Sequence, residues 1–480
     1  MLRAGFGVIL VDAQTFPRDK VCGDFVSPVA LRELRELGIA ELANSRRSHT
    51  IRTAALHLDG EHLITSAIPR VAGLPAYGRV IPRKLLDEWI VAKARDAGAQ
   101  VWEGSRIKGF EVCRDHIQVS VQHTRGLQNV RAKVLIGADG SSSLIARTMR
   151  GQNLPDNDRI IAVRGYFEGI DGPADRADIF FSSSSFPGYA WLFPISKTGA
   201  NVGVGMVLKT VPPSHEHLRR LLFQLVHDDV VLRNRLRQAQ LVGPVTGWPL
   251  ATYDPTLPIS SHRILLVGDA AGLINPLNGE GIQYALLSAA WAADAVKRCA
   301  ARGDFSQAAL ATYTRRVTEE LRYDMALSRT IVQFIRNRSL NPVWLAALRI
   351  IAARAAHDPE YAALTGGVLA GLVPVRRVTS LNVIHKTLEQ AALSLGLRAV
   401  NAALLGPNRL AHLGVAVTRA AVDMATSMVQ NRAESITWGL DLANNALELK
   451  GEISDRVSRG RKSSTRAARS RKVPRVVAHS

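Results

Sequence analysis

Residues 263–291 place the strongest constraint on how this 480-residue chain can fold. Ile264–Val267 is a short apolar run typical of a buried strand, and Gly268 and Asp269 end it. A turn rich in Gly, Asn and Pro follows, and from Gly281 onward apolar residues recur with helical spacing. A strand, a glycine-rich turn and a helix start in this order can hold a large anionic or electron-accepting cofactor. Glycines let the backbone approach the cofactor closely, and the helix N-terminus offers free N–H groups. An ordinary strand–turn–helix crossover is the alternative.

A second buried strand ends in the same way earlier in the chain. Val134–Ile136 is followed by Gly137, Ala138, Asp139 and Gly140, and serines that can cap a helix come next. Either this is a simple turn, or it is a second place where a carboxylate and glycines meet a cofactor. Two such strand ends predict an α/β fold in which separated segments build one Rossmann-like domain.

The N-terminal segment supplies a third acid. Val8–Val11 predicts a strand with Asp12 at its tip, the position where a dinucleotide-binding unit contacts the ribose hydroxyls. In such a unit the first strand and its G-x-G-x-x-G turn lie about 20 to 30 residues earlier. Ala4–Gly7 follows no strand and does not replace that turn. Two hypotheses arise: a start codon assigned too far downstream, which we favour, or a true truncation.

Charge and cysteine content indicate the cellular compartment in which the protein is expected. The formal net charge is +20, and nine basic residues without an acid fall between Arg456 and Arg475. The three cysteines, Cys22, Cys113 and Cys299, do not suggest a disulfide framework, and no metal-ligand spacing is found. The sequence shows neither a signal peptide nor an uninterrupted apolar span of membrane length. A reducing cytoplasm is therefore expected.

The string Gly-Asp-Ala-Ala-Gly…Pro-x-x-Gly-Glu-Gly-Ile after the buried strand resembles the second FAD-contacting motif of a flavoprotein group. That group contains the aromatic-ring hydroxylases and the geranylgeranyl reductases. The resemblance implies that Asp269 binds the ribityl chain and that the following loop and helix N-terminus face the isoalloxazine ring. The residues that it implies for FAD binding are Asp12, Lys20, Cys22, Gly23, Arg83, Asp139, Gly140, Gly268, Asp269, Pro276, Gly279, Glu280, Gly281 and Ile282.

The loop Phe16–Pro28 resembles one that lies against the flavin in geranylgeranyl reductases. Its P-R-x-K-x-C-G sequence implies that Cys22 faces the substrate side of the flavin. Lys20 and Arg18 are expected to lower the pKa of this thiol. The alternative is an inert cysteine in a polar loop.

Two further motifs carry the resemblance. Arg83 begins an R-x-x-x-D helix start, where the arginine of the family lies near the flavin; an exposed Arg–Asp pair is the alternative. Tyr189, Trp191 and Phe193 alternate along a predicted strand and share one face. They match the P-x-Y-x-W-x-F-P motif of geranylgeranyl reductases, which implies an aromatic wall for a long apolar substrate rather than a simple core strand. This motif favours a reductase over a hydroxylase.

The expected architecture is a Rossmann-like FAD-binding domain with an inserted β-sheet substrate domain and a helical C-terminal region. The predicted segments are 1–50, 131–158 and 256–300 for FAD binding, 51–130 as mixed FAD and substrate, 159–255 as substrate sheet, 301–445 as helical and 446–480 as a basic disordered tail. Apolar stretches such as Ala391–Leu405 are either packed helices or a surface that docks on a membrane. The tail is either a solvated extension or a site for anionic lipid, which we favour over nonspecific nucleic acid.

The predicted activity is an FAD-dependent reduction of C=C bonds in a prenyl chain, of a geranylgeranyl group or an isoprenoid quinone. Cys22, Tyr189 and Trp191 are the candidate substrate-side residues. The electron donor would be NAD(P)H or a reduced ferredoxin-like carrier, and no specific nucleic-acid partner is expected. The alternatives are an FAD-dependent monooxygenase of an aromatic substrate and a non-catalytic lipid-binding remnant.

Overall fold

The computed structural model describes residues 1–39, 45, 47–151, 159–207, 215–369, 371–372, 432–447 and 449–450, and residues 386, 389, 426 and 430 singly. The apolar stretch Ala391–Leu405 and the basic tail lie outside the described residues. No helix among the described residues is long and apolar enough to cross a membrane.

Helices cluster in the second half of the chain. They are α1 (Pro28–Glu36), α2 (Arg83–Asp96), α3 (Leu144–Arg150), α4 (His215–Asp228), α5 (Val230–Arg235), α6 (Ile282–Arg302), α7 (Gln307–Val317), α8 (Tyr323–Ile335), α9 (Asn341–His357) and α10 (Pro359–Leu369). Residues 432–447 are also helical. Helix α1 ends at Glu36, because Gly38 adopts a left-handed φ of 77° that stops the helix.

The described strands form one large sheet and four smaller sheets, and the smaller sheets with parallel strands make up the predicted nucleotide-binding half. They are β1 (Ile9–Val11), β2 (Phe25–Val26), β3 (His49–Ile51), β4 (Thr53–Leu58), β5 (Glu61–Ala67), β6 (Gly78–Val80), β7 (Gln100–Trp102), β8 (Arg106–Val112), β9 (Ile117–His123), β10 (Gly126–Ala132), β11 (Leu135–Gly137), β12 (Arg159–Glu168), β13 (Arg176–Phe181), β14 (Tyr189–Pro194), β15 (Gly199–Val207), β16 (Gln240–Ala251), β17 (Ser260–Ser261) and β18 (Ile264–Leu266).

The nucleotide-binding half has the parallel pairing expected of a Rossmann-like unit. β1 pairs in parallel with β7, and β11 pairs in parallel with β18. β18 is fully buried and packs in one core with α6 and α7, through residues such as Ala295 and Leu310. This parallel arrangement brings the carboxyl ends of β11 and β18 to the same sheet edge, so Asp139 and Asp269 follow neighbouring strands.

The large sheet has seven strands in the order β16-β12-β15-β14-β13-β4-β5. One face of β14 and β15 packs on α4, through Ala190, Leu192 and Val202 among others. The opposite face carries the aromatic residues of β14. Since β4 and β5 belong to this sheet, the chain between residues 51 and 67 builds the same layer as the chain after residue 159.

The helices α4 and α5 lead into an edge strand of the large sheet. The helical region stops at Arg235, and Gln240 starts the twelve-residue strand β16. Two prolines and two glycines give β16 the composition of a loop. It forms a strand because it lies at the sheet edge, where a residue without an N–H is tolerated.

Candidate functional site

A cavity of about 810 Å³ lies between the large sheet, the nucleotide-binding half and the C-terminal helices. Most residues predicted for the site line it, although they come from four separate segments of the chain. They are Lys20, Cys22, Gly23, Arg83, Tyr189, Trp191, Asp269, Pro276, Gly279, Glu280, Gly281 and Ile282. Its volume is within the range of pockets that enclose a cofactor or a drug-sized molecule.

An ion pair joins the first and last of these segments. The Nζ atom of Lys20 lies 2.9 Å from Oδ2 of Asp269, and both side chains are partly exposed to the cavity. The pair spans 249 residues of sequence. It fixes the loop that carries Cys22 against the strand end after β18, so that both motifs face the same space.

Arg83 takes part in a chain of charges along the cavity rim. Its guanidinium makes two 2.8 Å hydrogen bonds to the carboxylate of Asp87, one turn later in α2. Arg18 also donates to Asp87 and reaches Asp12, at 2.8 and 3.1 Å. Burial disfavours the charge of Arg83, but Asp87 outweighs it and raises the pKa of Arg83. The Arg–Asp pair is therefore buried, in contrast to the exposed pair that was the alternative.

Four predicted cofactor residues lie outside the lining of this cavity: Asp12, Asp139, Gly140 and Gly268. Asp139 accepts hydrogen bonds from the Ser143 hydroxyl and the Ile145 backbone N–H, and so caps α3. Gly268 has a φ of 54°, and a Cβ there would lie 3.0 Å from the Cβ of Ala285 on α6. Their roles in FAD binding stay predictions.

The N-terminus of α6 opens into the cavity. Glu280 accepts a 3.0 Å hydrogen bond from the backbone N–H of Gln283, which satisfies one free donor of the first turn. Burial raises the pKa of Glu280 to about 7, against hydrogen bonds that favour the ionised form. The hydroxyl of Tyr189 donates to the backbone carbonyl of Asn278 at 2.7 Å, which ties β14 to this turn.

The aromatic side chains of β14 form one wall of the cavity. The ring centroids of Tyr189 and Trp191 are 6.2 Å apart, as are those of Trp191 and Phe193. Trp191 donates its indole N–H to the side chain of Asn201 at 2.9 Å. Asn201 in turn donates to the backbone carbonyl of Cys22 at 2.8 Å, so the aromatic wall and the Cys22 loop are held together.

The expected activation of Cys22 is wrong in direction. Burial raises the pKa of the Cys22 thiol and outweighs the opposing influence of Arg83 and Lys20. Arg18 is instead engaged with Asp12 and Asp87. A largely protonated thiol is therefore expected at neutral pH, with little nucleophilic character.

Sequence reasoning missed a polar cluster behind the Cys22 loop. Asp24 is completely buried and accepts hydrogen bonds from Tyr166 on β12 and Asn201 on β15, at 2.7 and 2.8 Å. Arg164 lies over the Tyr166 ring and donates to Asp19 at 2.7 Å. Alternating polar residues inside apolar strands were the available signal, because a polar group buried in a strand needs a partner.

Sequence reasoning also missed the apolar part of the lining. Trp344, Leu348 and Ile351 on α9 face the cavity together with Phe181 of the large sheet and Phe186 of the turn between β13 and β14. Helical periodicity marks α9 as packed but cannot show that its partner is a cavity rather than a core.

The strand end at Asp269, the helix start at Gly281 and the loop at Lys20 fit FAD. Gly281 brings the start of α6 into contact with Asp269, since a Cβ there would lie at the ordinary contact distance of 3.4 Å from Oδ1 of Asp269. The fold and this donor set define an FAD-dependent oxidoreductase.

Comparisons with known proteins agree with the assignment as an FAD-dependent oxidoreductase. The family described as FAD binding domain matches residues 1–321. Menaquinone reductase of Mycobacterium tuberculosis (strain ATCC 25618 / H37Rv) is 32% identical over 305 residues, covering 61% of this chain and 71% of that protein. Digeranylgeranylglycerophospholipid reductase of Thermoplasma acidophilum is 31% identical over 247 residues, covering 50% of this chain and 60% of that protein. The chain therefore belongs to the FAD-binding family of oxidoreductases.

Solved structures show the same fold. A geranylgeranyl bacteriochlorophyll reductase-like protein from Thermoplasma acidophilum superposes with a TM-score of 0.61 at 23% identity, covering 80% of this chain and 90% of that one. The flavin-dependent halogenase CmlS superposes with a TM-score of 0.61 at 22% identity, covering 73% of this chain and 68% of that one. A probable FAD-dependent monooxygenase of Pseudomonas aeruginosa gives 0.53 at 20% identity, covering 70% and 92%. Several chemistries thus share this fold.

Gly203 on β15 is expected to tolerate no side chain. A Cβ there would lie 2.5 Å from the backbone carbonyl oxygen of Val163 and would also collide with the ring of Trp191. Gly203→Ala should lower the free energy of unfolding by at least about 1–3 kcal/mol, because overpacking a core displaces its neighbours. Urea denaturation followed by tryptophan fluorescence measures this loss. Gly109→Ala, where no atom lies within 4 Å of the added Cβ, is the control, and equal stability of the two variants would contradict the prediction.

The contribution of Asp24 and Glu280 to the stability of the protein should fall as the pH rises from about 4 to 7. Burial raises the pKa of Asp24 from 3.8 to about 6 and that of Glu280 from 4.5 to about 7, so the folded state holds these protons more tightly than the unfolded state. Each group contributes its full stabilisation at a pH below its pKa in the unfolded chain. This stabilisation is lost as the pH rises through the pKa in the folded protein, and it amounts to roughly 1.4 kcal/mol per unit of difference between the two pKa values. In urea titrations between pH 4 and 8, Glu280→Gln should show a shallower decline. A decline as steep as in the unmodified protein would count against the raised pKa of Glu280.

Proposed function

We propose that this oxidoreductase reduces C=C bonds in the prenyl chain of a lipid or an isoprenoid quinone. One observation carries the proposal: the cavity joins the polar strand and helix ends around Asp269 to a long apolar lining. The apolar part combines the aromatic wall of β14 with side chains from α9, including Trp344 and Leu348. Such a lining suits a flexible hydrocarbon, because burying apolar surface is the main source of affinity for a chain without polar groups.

The residues of the site would have two tasks, to hold FAD and to position the substrate. Lys20, Asp269, Glu280 and the first turn of α6 would hold FAD, with Asp12 and Asp139 toward its other half. Tyr189 and Trp191 would position the prenyl chain. When bound and reduced, FAD supplies a hydride, and the protein supplies orientation and a dry setting. NAD(P)H or a reduced ferredoxin-like carrier would provide the electrons.

The relatives support a reductase over a hydroxylase. The menaquinone reductase and the digeranylgeranylglycerophospholipid reductase are both named as reductases, at 32% and 31% identity. The monooxygenase resembles this chain at only 20% identity, which shows the shared fold alone. A prenyl substrate also fits a cytoplasmic protein that contacts the inner membrane surface, where the basic tail would meet anionic lipid at about 1 kcal/mol per basic residue.

A turnover assay tests this function. The purified full chain, supplemented with FAD, is reduced anaerobically with dithionite, which replaces the natural donor. It is then mixed with menaquinone or with a geranylgeranylated phospholipid. Mass spectrometry should show products that have gained two hydrogens for each reduced bond. An unchanged prenyl chain in both substrates, or incorporation of labelled oxygen into an aromatic compound in air, would overturn the proposal.

A further inference from the structure

The helix over residues 432–447, here called the outer helix, exposes an apolar stripe. Ile436, Leu440 and Leu447 recur at helical spacing, and their exposed fractions are 54%, 62% and 66%. Trp438 lies on the opposite side of this helix and donates its indole N–H to a backbone carbonyl of α8 at 2.7 Å. Single exposed apolar residues are common on protein surfaces, but a stripe of three on one helix marks a surface that another apolar body covers.

A second exposed apolar group lies where α8 ends and α9 begins. Phe334 and Val343 are 44% and 43% exposed, and the centroid of the Phe334 ring lies 4.5 Å from that of the Trp344 ring. A 2.6 Å ion pair between Arg336 and Asp441 joins this helix junction to the outer helix. The exposed apolar side chains of the junction and of the outer helix are together called the apolar surface: Phe334, Val343, Ile436, Leu440 and Leu447.

The helix junction also forms part of the cavity wall. Ile335 and Trp344 line the cavity, and each is next in sequence to an exposed residue of the apolar surface. Among the described lining residues, none that α8, α9 and α10 contribute is charged. These helices therefore present apolar side chains both to the cavity and to the outside of the protein. Such a wall suits a hydrocarbon chain that leaves a lipid phase, because exposing apolar groups to water costs free energy.

Basic residues border the apolar surface. Arg338 is exposed just beyond α8, and Arg432 and Lys450 are exposed at the two ends of the outer helix. Glu434, exposed on the outer helix, offsets part of this charge. The formal net charge of the whole chain is +20. An apolar surface with a basic border matches a bilayer that contains anionic lipid, since the headgroups attract basic residues near the membrane.

We propose that the apolar surface inserts into the headgroup region of an anionic lipid bilayer, and that the cavity wall at α8 and α9 thereby faces the lipid phase. The docking itself does not depend on the reaction, whereas the delivery of a prenyl chain to the cavity rests on the proposed function. A second copy of the chain is a less suitable occupant, because a symmetric contact would bring the basic borders of both copies together. The basic tail would add attraction to the same bilayer.

Vesicle flotation tests the docking. The full chain is mixed with vesicles of phosphatidylcholine that contain about one third phosphatidylglycerol, at about 0.15 M and about 1 M NaCl, where the Debye length is about 8 Å and about 3 Å. High salt screens the attraction of exposed basic residues, including those of the tail, but leaves apolar insertion in place. The unmodified protein should therefore still float with the vesicles at the higher salt concentration.

Ile436→Ser/Leu440→Ser should bind the vesicles at least about tenfold more weakly at both salt concentrations, because two large apolar side chains no longer enter the bilayer. Val112→Ser/Leu127→Ser is the matched control, since these side chains are 41% and 61% exposed on β8 and β10. It should bind as the unmodified protein does. Circular dichroism verifies the fold, and light scattering without vesicles measures the oligomeric state.

A turnover comparison links the docking to the substrate. Reduction of menaquinone embedded in the same vesicles should be impaired in Ile436→Ser/Leu440→Ser through a raised KM, with kcat unchanged. A water-soluble short-chain analogue should be reduced equally well by this variant and by the unmodified protein, because it reaches the cavity without the bilayer.

The possible results separate the docking from the proposed function. The docking is overturned if the unmodified protein does not float, or if Ile436→Ser/Leu440→Ser floats equally well at the higher salt concentration. An assembly of two copies without vesicles that dissociates in this variant would assign the apolar surface to a contact between copies instead. Flotation as expected, without reduction of any prenyl substrate, would leave the docking in place and overturn the proposed function.

Discussion

Asp269→Ala is expected to yield a folded protein that no longer retains FAD. Asp269 follows β18, and its carboxylate faces the cavity. Among the described residues it forms an ion pair with Lys20, and this pair is partly exposed. Its removal leaves Lys20 free to reach solvent, so the fold should persist. A hydrogen bond to a charged group contributes about 1.5–3 kcal/mol, which corresponds to a roughly 10- to 100-fold loss of FAD affinity.

Visible absorbance and released-flavin fluorescence of the purified variant measure this loss, and circular dichroism verifies the fold. Asp294→Ala is the matched control, because Asp294 lies on α6 but is exposed. It should keep the flavin content of the unmodified protein. Full flavin occupancy of Asp269→Ala at low FAD concentration would show that this carboxylate does not hold the cofactor.

Ser66→Trp is expected to block the substrate while sparing the cofactor. Ser66 lies on β5, opposite Ala54 of β4, and both residues line the cavity on the side of the large sheet. An indole there would occupy space that a prenyl chain needs. We expect turnover of a long prenyl substrate to fall at least about tenfold, equivalent to about 1.4 kcal/mol, with an unchanged flavin spectrum.

Thr65→Trp provides the control on the same strand. Successive side chains of a strand point to opposite faces, and Thr65 is exposed rather than part of the lining. Steady-state kinetics with menaquinone and with a short-chain analogue should separate the variants, with Ser66→Trp losing mainly the long substrate. Equal loss in both variants would mean that the apolar cavity is not the prenyl site.

Much of the candidate site could be predicted because its signals are local. The pattern around Asp269 and Gly281 requires only a buried strand, a turn and a helix start, each of which depends on neighbouring residues. The strand face shared by Tyr189, Trp191 and Phe193 follows from the alternation of side chains. All of these residues reach the cavity in the folded chain. Membership of the FAD-binding family is confirmed.

The error in the expected pKa of Cys22 arose where long-range packing decides the outcome. The pKa of Cys22 was expected to fall because Lys20 and Arg18 are near it in sequence. Burial beneath the large sheet raises it instead, since desolvation of the thiolate exceeds the influence of the charges.

The sequence alone determined the α/β class, the strand ends that are predicted to bind FAD and the aromatic strand, because these depend on short-range periodicity and motif spacing. Only the tertiary structure decided that Asp24 is buried with one free carboxyl oxygen, since Tyr166 and Asn201 are 142 and 177 residues away. It also decided that α9 completes an apolar cavity next to the large sheet. Burial and partnership are properties of the packed chain, and no local pattern contains them.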